Sequence, residues 1–313
     1  MISVVVVNWN AGHQLKNCVD SITKFGGGLV DKMIVVDNGS TDGSEASVEG
    51  VPNVTLIRTG ENLGFGKACN LGAKHADSDY LLFLNPDAAL LEGTLTKVVG
   101  FMQDQTNQTV GICGVQLIEE NGKISRSCGR FPTATGFLAH AVGLNRFFPR
   151  LGNAMAEWDH LADRQVDQVI GAFFFVRSGL FEQLQGFDER FFVYFEEVDF
   201  SYRAYWVGWQ SFYLADAQAF HAGGGTSNQV KAKRLFYSLR SRLLYAFKHF
   251  SLPAALTVLA STLLLEPLAR SVLALARRSL SGFKETWGGY RMLWAWLPKW
   301  LLKMRRDKCC NNL

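Results

Sequence analysis

The chain has 313 residues, of which 48% are hydrophobic and 19% are charged, so it can bury a core and is not a disordered protein. The net charge of +4 is unevenly distributed, because residues 231–313 hold 16 Lys and Arg against 3 Asp and Glu. A tail of this charge predicts contact with an anionic surface, either lipid headgroups or nucleic acid.

The first 90 residues predict alternating strands and helices. The predicted strands are Ile2–Val7, Met33–Val36, Val54–Arg58 and Tyr80–Leu84, and the predicted helices are Leu15–Phe25 and Phe65–His75. This alternation is typical of an α/β fold in which helices cover both faces of a largely parallel sheet. Tyr80–Leu84 is apolar throughout, as expected of a strand that is buried on both faces.

Polar residues follow the carboxyl ends of these strands, where open α/β sheets bind their ligands. Asn8 and Asn10 follow the first strand, Asp37–Ser44 the second, and Asn85–Asp87 the run Tyr80–Leu84. In Asp37–Ser44, a carboxylate could bind a ribose or base, and two glycines would let backbone N–H groups approach a phosphate. Strand-ending turns also favour Asp, Asn, Gly and Ser, so the segment alone does not distinguish a ligand site from a turn.

The middle of the chain predicts a mixed pattern of short strands and loops. The expected strands are Gly111–Leu117, Gln168–Arg177 and Gln210–Tyr213, and the loops between them are rich in Phe, Gly and Arg. We expect this part to form the acceptor side of the site. Arg126, Arg130 and Arg203 are candidates for contact with diphosphates, and solvated surface is the alternative.

Residues 1–228 are predicted to form one domain, and residues 229–313 a basic, helical tail. The tail helices are expected at Lys231–Phe250, Leu252–Arg278 and Trp287–Arg306, with a linker at Ser279–Thr286 and with Pro253 and Pro298 starting or kinking helices. Its last helix alternates aromatic and Leu residues with Lys and Arg, which is typical of a helix lying on a membrane surface. A packing helix of a homodimer is the alternative.

Three features of the sequence indicate where in the cell the protein is located. The six cysteines lack CxxC pairs and the spacing of a disulfide scaffold, which favours a reduced, cytoplasmic setting. Ile2–Val7 follows Met1 directly, so no signal peptide is expected. The longest uncharged stretch, His249–Leu265, falls just short of the length of a membrane-spanning helix. We therefore expect a protein at the inner face of the cell membrane.

Six segments carry a resemblance to a known family. They are Val36–Ser44, Glu61–Asn70, Leu82–Asp87, Gly186–Phe192, Glu196–Arg203 and His221–Gly224. At these spacings the set resembles the family 2 glycosyltransferases, which adopt the GT-A fold, over about residues 1–250. The chain is most similar to bacterial rhamnosyltransferases that build cell-surface polysaccharides. The resemblance implies an inverting transfer of L-rhamnose from dTDP-rhamnose to a polyprenyl-diphosphate-linked or polysaccharide acceptor, without a nucleic-acid partner.

The resemblance also implies roles for single residues. Those implied to contact the nucleotide-sugar donor are Asn8, Asn10, Asp37, Asn38, Asn62, Gly64, Lys67, Asn85 and Arg203. Asp87 is implied to hold Mg²⁺ or Mn²⁺ at the donor diphosphate, with His221 as a second ligand. The family's Asp-x-Asp motif reads Asn85-Pro86-Asp87 here, so one carboxylate remains. A turn-closing Asp87 and a structural His221 are the alternatives.

An inverting transfer also requires a carboxylate base to accept the proton of the acceptor hydroxyl. Glu196, Glu197 and Asp199 resemble the family's Glu-Asp motif, and Glu197 occupies the position of the base, where the family has Asp. Glu196 is the main rival. Close like charges raise a carboxyl pKa, which suits a base near neutral pH. If the cluster begins a helix, Glu196 or Asp199 instead favours its N-terminus.

Two other classes of protein remain alternatives. A nucleotidyltransferase would carry a Gly-rich loop with Lys or Arg after the first strand, whereas this chain has Asn8-Trp9-Asn10-Ala11-Gly12. A catalytically inactive scaffold is suggested by Asn85 and by the Glu at position 197, and donor turnover would exclude it.

Overall fold

The computed structural model describes residues 1–223 and 231–310, with side chains as far as residue 304. The chain divides into two compact units. Unit 1 comprises Met1–Pro132 and Gly152–Thr226, and unit 2 comprises Thr133–Leu151 and Ser227–Leu313. The sequence-based boundary at residue 228 assigned Thr133–Leu151 to the first domain. In the structure this segment groups with the C-terminal helices.

Within the described residues of unit 1, ten strands form a mixed sheet and two short strands form a second sheet. The strands are β1 Ile2–Asn8, β2 Val30–Asp37, β3 Val54–Arg58, β4 Tyr80–Leu84, β5 Ala88–Leu90, β6 Val110–Ile118, β7 Ile124–Ser125, β8 Cys128–Gly129, β9 Arg164–Val166, β10 Gln168–Val169, β11 Phe173–Arg177 and β12 Gln210–His221. The large sheet has the order β3-β2-β1-β4-β11-β6-β12-β5, with β7 beside β6 and β9 beside β12. β1 is parallel to β2 and β4, whereas β11 is antiparallel to β4 and β6.

The helices complete both units. They are α1 His13–Phe25, α2 Phe65–Ala73, α3 Thr94–Gln103, α4 Ala134–Ala141, α5 Ser178–Gln183, α6 Glu196–Trp206, α7 Lys231–His249, α8 Leu252–Ala260, α9 Glu266–Ala276 and α10 Leu280–Cys310. In unit 1 the buried apolar residues form two clusters, because alternate residues of each strand face opposite sides of the sheet. Val4 and Val6 belong to one cluster, Val5 and Val7 to the other. The predicted α/β sheet with helices is confirmed.

Two predicted strands of unit 1 differ from the observed ones. Gln168–Arg177 divides into β10 and β11 around a bend at residues 170–172, where the Ile170 N–H donates to Ser127 O and Ala172 O accepts from Asn85. The strand predicted at Gln210–Tyr213 continues to His221, because its far end pairs with β5. These tertiary contacts leave no local signal in the sequence.

Unit 2 is helical, and its tail differs from the predicted one in two respects. The predicted linker Ser279–Thr286 lies mostly within α10, whose first turn is capped by Ser279 Oγ accepting the Gly282 N–H at 3.1 Å. α10 continues through Pro298, while Pro253 lies in the first turn of α8 as predicted. A π-helical turn, Ser261–Leu265, joins α8 to α9.

Candidate active site

The candidate donor residues Asn8 and Asp37 are paired at the carboxyl ends of β1 and β2. Both are buried, and Asn8 Nδ2 lies 2.9 Å from Asp37 Oδ1 and 2.8 Å from Ser44 Oγ. Asp37 Oδ2 accepts the Ser40 N–H at 3.3 Å, so Asp37 also shapes the turn. Among the described residues Asn8 Oδ1 is buried without a hydrogen-bond partner. An unpaired acceptor at this edge of the sheet is suited to a ligand donor group.

Asn10 joins the loops that follow β1 and β2. Its backbone N–H donates to Ser40 Oγ at 3.0 Å, and its Oδ1 accepts the Thr41 N–H at 2.7 Å. Its φ of 52° lies in the left-handed region, which Asn tolerates better than most residues. The structure therefore brings Asn10 to the predicted edge of the sheet.

Asn38 connects this turn to the loop that precedes α2. Its Oδ1 accepts the Leu63 N–H at 2.8 Å, and its Nδ2 donates to Asn62 Oδ1 at 3.1 Å. Asn62 Oδ1 also accepts the Gly64 N–H at 3.0 Å. The structure thus places Asn38, Asn62 and Gly64 in one network that shapes the loop.

Gly64 permits a close approach of two backbone segments. Its φ is +87°, and a Cβ atom there would lie 2.5 Å from Phe192 O. The Phe65 N–H donates to the same carbonyl at 2.6 Å, which ties the start of α2 to the segment before α6. Lys67 lies in the first turn of α2 with an exposed side chain, outside the asparagine network.

The two candidate metal ligands meet where β5 pairs with β12, which places His221 opposite Ala88. Asp87 Oδ1 lies 3.3 Å from His221 Nε2, and these side chains are only 12% and 14% exposed. The Ala222 N–H donates to Asp87 O at 3.0 Å. Of the predicted segment His221–Gly224, Gly224 lies outside the described residues.

Asp87 and His221 fit a divalent metal that is shared with a bound ligand. Adjacent ligands of an octahedral ion, each about 2.1 Å from the metal, are about 3.0 Å apart, close to the observed separation. No group of three His, Cys, Asp or Glu residues suitable for a metal occurs in the described part of the chain. Diphosphate oxygens and water would therefore supply the other ligands.

Helix α1 and the bend at residues 170–172 hold the Asn85–Asp87 turn. The Cys18 thiol donates to Asn85 O at 3.5 Å, and the Asn85 N–H donates to Ala172 O at 3.1 Å. Burial and the charge of Asp87 raise the pKa of the Cys18 thiol, so this group stays neutral. Asn85 therefore has a backbone role in placing Asp87, whatever its side chain contacts.

Glu196 and Glu197 begin α6, and both are shielded from water. Glu196 is 4% exposed and Glu197 is half-buried. Burial and the neighbouring Glu197 hold the pKa of Glu196 well above the usual range, and burial also raises the pKa of Glu197. In each carboxyl group Oε2 is buried and accepts no hydrogen bond within the described chain. Burial raises the pKa of Glu197 toward the range that a base requires, and Glu197 is the more exposed residue of the pair.

The bend at residues 170–172 connects Glu197 to the metal turn. The backbone N–H of Gly171 lowers the pKa of the Glu197 carboxyl against the larger effect of burial, and the adjacent Ala172 carbonyl accepts the Asn85 N–H. Sequence analysis missed Gly171 because the predicted strand extended across it. The bend therefore lies beside the candidate base and holds the turn that carries Asp87.

The backbone before the acidic pair is strained. Tyr194 and Phe195 have φ values of 67° and 73°, and each such conformation costs a non-glycine residue about 1–3 kcal/mol. Strain of this kind persists where the surrounding structure imposes it, as at active sites. Here it orients the first turn of α6, from which Glu196 and Glu197 project.

Asp199 and Arg203, the predicted catalytic and donor-binding residues of α6, also form structural contacts. Their buried ion pair has an Nε–Oδ2 distance of 2.8 Å. The remaining guanidinium nitrogens of Arg203 donate to Leu184 O at 2.7 Å and Gly186 O at 2.8 Å. The pair therefore anchors α6 to the turn that follows α5, and the roles expected of both residues in catalysis and donor binding stay predictions.

The remaining arginines differ in their surroundings. Arg130 forms an ion pair with Glu157, and Arg126 is exposed. Asn70, quoted only as part of a motif, exchanges two hydrogen bonds with the Phe187 backbone, at 2.8 and 2.9 Å. It thereby fastens α2 to the segment that leads into α6.

Comparison with known proteins agrees with this geometry. The family model described as "Glycosyl transferase family 2" matches residues 3–156. The N-acetylglucosaminyl-diphospho-decaprenol L-rhamnosyltransferase of Mycobacterium tuberculosis is 30% identical over 250 residues, covering 75% of this chain and 80% of that protein. The rhamnosyltransferase WbbL of Escherichia coli K12 is 25% identical over 58% of this chain and 69% of its own length.

Solved structures support the fold. The mannosyltransferase PcManGT from Pyrobaculum calidifontis, in complex with GDP-Man and Mn²⁺, has a TM-score of 0.55 at 20% identity, covering 93% of this chain and 79% of its own. S. aureus TarS (1–349) has a TM-score of 0.52 at 16% identity, with 93% and 91% covered. The GT-A fold expected from the motifs is confirmed. The chain belongs to glycosyl transferase family 2 and is a glycosyltransferase.

Proposed function

We propose that this enzyme is an inverting rhamnosyltransferase that transfers L-rhamnose from dTDP-rhamnose to a polyprenyl-diphosphate-linked acceptor. One observation supports the transferase chemistry: Asp87 lies 3.3 Å from His221, and the bend at residues 170–172 holds the turn that carries Asp87 through Ala172 O and lies beside the Glu197 carboxylate through Gly171. The choice of rhamnose and of a lipid-linked acceptor rests on the relatives, whose names specify rhamnosyl transfer and, in one case, a diphospho-decaprenol acceptor.

In this proposal Asp87 and His221 would hold a divalent metal, and the metal would supply positive charge to stabilise the leaving diphosphate. The mixed carboxylate and imidazole pair favours Mn²⁺, since Mg²⁺ prefers oxygen ligands alone. Asn8 and Asp37 contact the nucleoside, and Glu197 accepts the proton of the attacking hydroxyl. Burial and the neighbouring Glu197 raise the pKa of Glu196 beside it.

The donor is tested by thermal shift against a panel of nucleotide sugars with and without Mn²⁺. A ligand at 100 times its Kd stabilises the folded protein by about 2.7 kcal/mol. We expect the largest shift with dTDP-rhamnose together with Mn²⁺. A larger shift with another nucleotide sugar would reassign the donor, while transfer of that sugar would leave the enzyme class unchanged.

We further propose that unit 2 binds the inner face of the cell membrane through an exposed apolar stripe. The stripe consists of Leu252, Leu256, Leu264, Leu265, Leu268, Val272 and Leu275, each at least 43% exposed. The helical stretch Leu252–Ala276 is long enough and apolar enough to span a membrane, judged by length and composition alone. Its opposite side buries Glu266, which pairs with Arg242 and Arg270, so we favour insertion of one face over spanning.

We place the proposed membrane contact on α8 and α9, whereas the sequence favoured the Trp-rich α10. Tyr290 and Leu293 are fully buried within unit 2, and Trp287 Nε1 donates to Ser271 Oγ at 3.1 Å. Trp294 remains 42% exposed. The predicted flanking side chains of Arg305 and Arg306 lie outside the described residues.

The double substitution Leu268→Gln and Val272→Gln should weaken binding to phosphatidylglycerol vesicles by about tenfold or more, because each apolar side chain contributes about 1.5–3 kcal/mol when fully buried. Co-sedimentation measures this, and the wild-type binding should weaken but persist at high salt. The control pair Leu161→Gln and Val207→Gln removes exposed apolar side chains from unit 1. Unchanged vesicle binding together with loss of a dimer would identify the stripe as a dimer interface.

A further inference from the structure

Unit 2 contains a groove of about 400 Å³ between α7, α9 and α10. Residues that line it include Lys231, Arg234, Arg270, Arg277, Glu285 and Thr286. The volume lies within the range of small-ligand sites. The groove is formed by unit 2 alone and contains none of the residues of the candidate active site.

The groove has an excess of positive charge. Four cationic side chains line it, against the carboxylate of Glu285, which lies 3.8 Å from Lys231. Arg270 pairs with Glu266, but the buried Arg242 shares that carboxylate. The single negative charge of Glu266 thus pairs with two guanidinium groups, and the electrostatic potential in the groove remains positive.

We propose that this groove binds the diphosphate of a lipid. Guanidinium groups bind phosphate oxygens through paired hydrogen bonds, and four cations, two from α7 and two from α9 and the residue that follows it, suit an anion with several charges. Arg270 lies in α9 and Arg277 directly follows it, and α9 also carries Leu268, Val272 and Leu275 of the apolar stripe. A ligand with a charged head and an apolar chain matches both features, whereas free pyrophosphate matches only the first.

This inference rests on the proposed function for the identity of the lipid, since a polyprenyl-diphosphate-linked acceptor has this chemistry. The groove then holds the diphosphate of the acceptor, while Asp87 and His221 serve the diphosphate of the donor. With two separate anion sites, donor and acceptor can bind independently. Binding of the acceptor is then measured with vesicles, and binding of the donor by thermal shift.

The test uses the full chain and phosphatidylcholine vesicles with and without polyprenyl diphosphate. The variant Lys231→Gln/Arg277→Gln removes two groove cations, and Lys284→Gln/Arg291→Gln removes two exposed cations of α10 that do not line the groove. Each cation near an anionic headgroup contributes enough for about a fivefold change in affinity. We expect the groove variant to bind the diphosphate vesicles at least tenfold more weakly, and the control variant to bind them nearly as the wild type does.

Equal losses in both variants would show general surface charge and overturn the proposal. Weaker binding of soluble pyrophosphate, with vesicle binding unchanged, would overturn the lipid assignment. Both variants should retain the thermal shift with dTDP-rhamnose and Mn²⁺, because that readout depends on unit 1. If the wild type shows no thermal shift with dTDP-rhamnose and Mn²⁺, the proposed donor is refuted. If in that case only the groove variant loses vesicle binding, the groove site still stands.

Discussion

Replacing Asp87 with alanine should abolish metal-dependent donor binding. Asp87 is the sole carboxylate beside His221 within the described residues, and the bound metal contributes several kcal/mol of charge stabilisation. We expect the affinity for the donor in the presence of Mn²⁺ to fall by about 100-fold or more. Calorimetric titration with and without Mn²⁺ measures the loss, and the variant should lose its dependence on the metal.

The matched control is Asp216→Ala, which removes an exposed carboxylate from β12, the strand that carries His221. It should leave donor affinity unchanged, because its ion pair with Lys97 lies at the surface. If Asp87→Ala binds the donor as tightly as the wild type when Mn²⁺ is present, the Asp87–His221 pair is a structural contact.

Replacing Glu197 with glutamine should preserve donor affinity and lower kcat by about 10²–10⁴-fold, the range for loss of a general base. Because burial raises the pKa of Glu197, activity of the wild type should increase with pH through this raised value as the base loses its proton. Steady-state kinetics over a pH series measures both effects. The residual activity of the variant should not show this rise with pH, because the ionising carboxyl group is absent.

Stability provides a separate check on Glu197→Gln. Burial raises the pKa of Glu197 above its unfolded value, so ionisation is less favourable in the folded protein, and the free energy of unfolding falls as pH rises past the ordinary carboxyl range. Glutamine removes that loss, and the variant should be no less stable than the wild type at neutral pH. An active Glu197→Gln beside an inactive Glu196→Gln would transfer the role of base to Glu196.

Local patterns predicted the elements that local chemistry determines. Val54–Arg58 and Tyr80–Leu84 have the predicted bounds because runs of apolar residues between turn-forming residues mark buried strands. Ala88–Leu90 was not predicted, since three residues carry no periodicity and their strand depends on pairing with β12. The bend at Gly171 was invisible for the same reason.

The residues of the candidate site could likewise be predicted from the sequence only in part. The motifs identified Asp87, His221 and the acidic pair, and the structure brings the first two within contact distance. They did not reveal that Asp199 and Arg203 satisfy each other, because a sequence lists charged residues without their partners. Nor could they distinguish Glu196 from Glu197, because the sequence does not show which of the two residues is the more exposed.

The order of segments along the chain has a consequence for biosynthesis. Thr133–Leu151 leaves the ribosome well before the helices of residues 231–304 that complete unit 2. Until then Phe137, which contacts Phe250, and Ala141 have no helical partners. A nascent chain that stops near residue 228 therefore presents an unpaired apolar segment inside an otherwise finished catalytic unit. Such intermediates are substrates for chaperones and prone to aggregation, and an expression fragment cut at this apparent boundary would retain that exposed surface permanently.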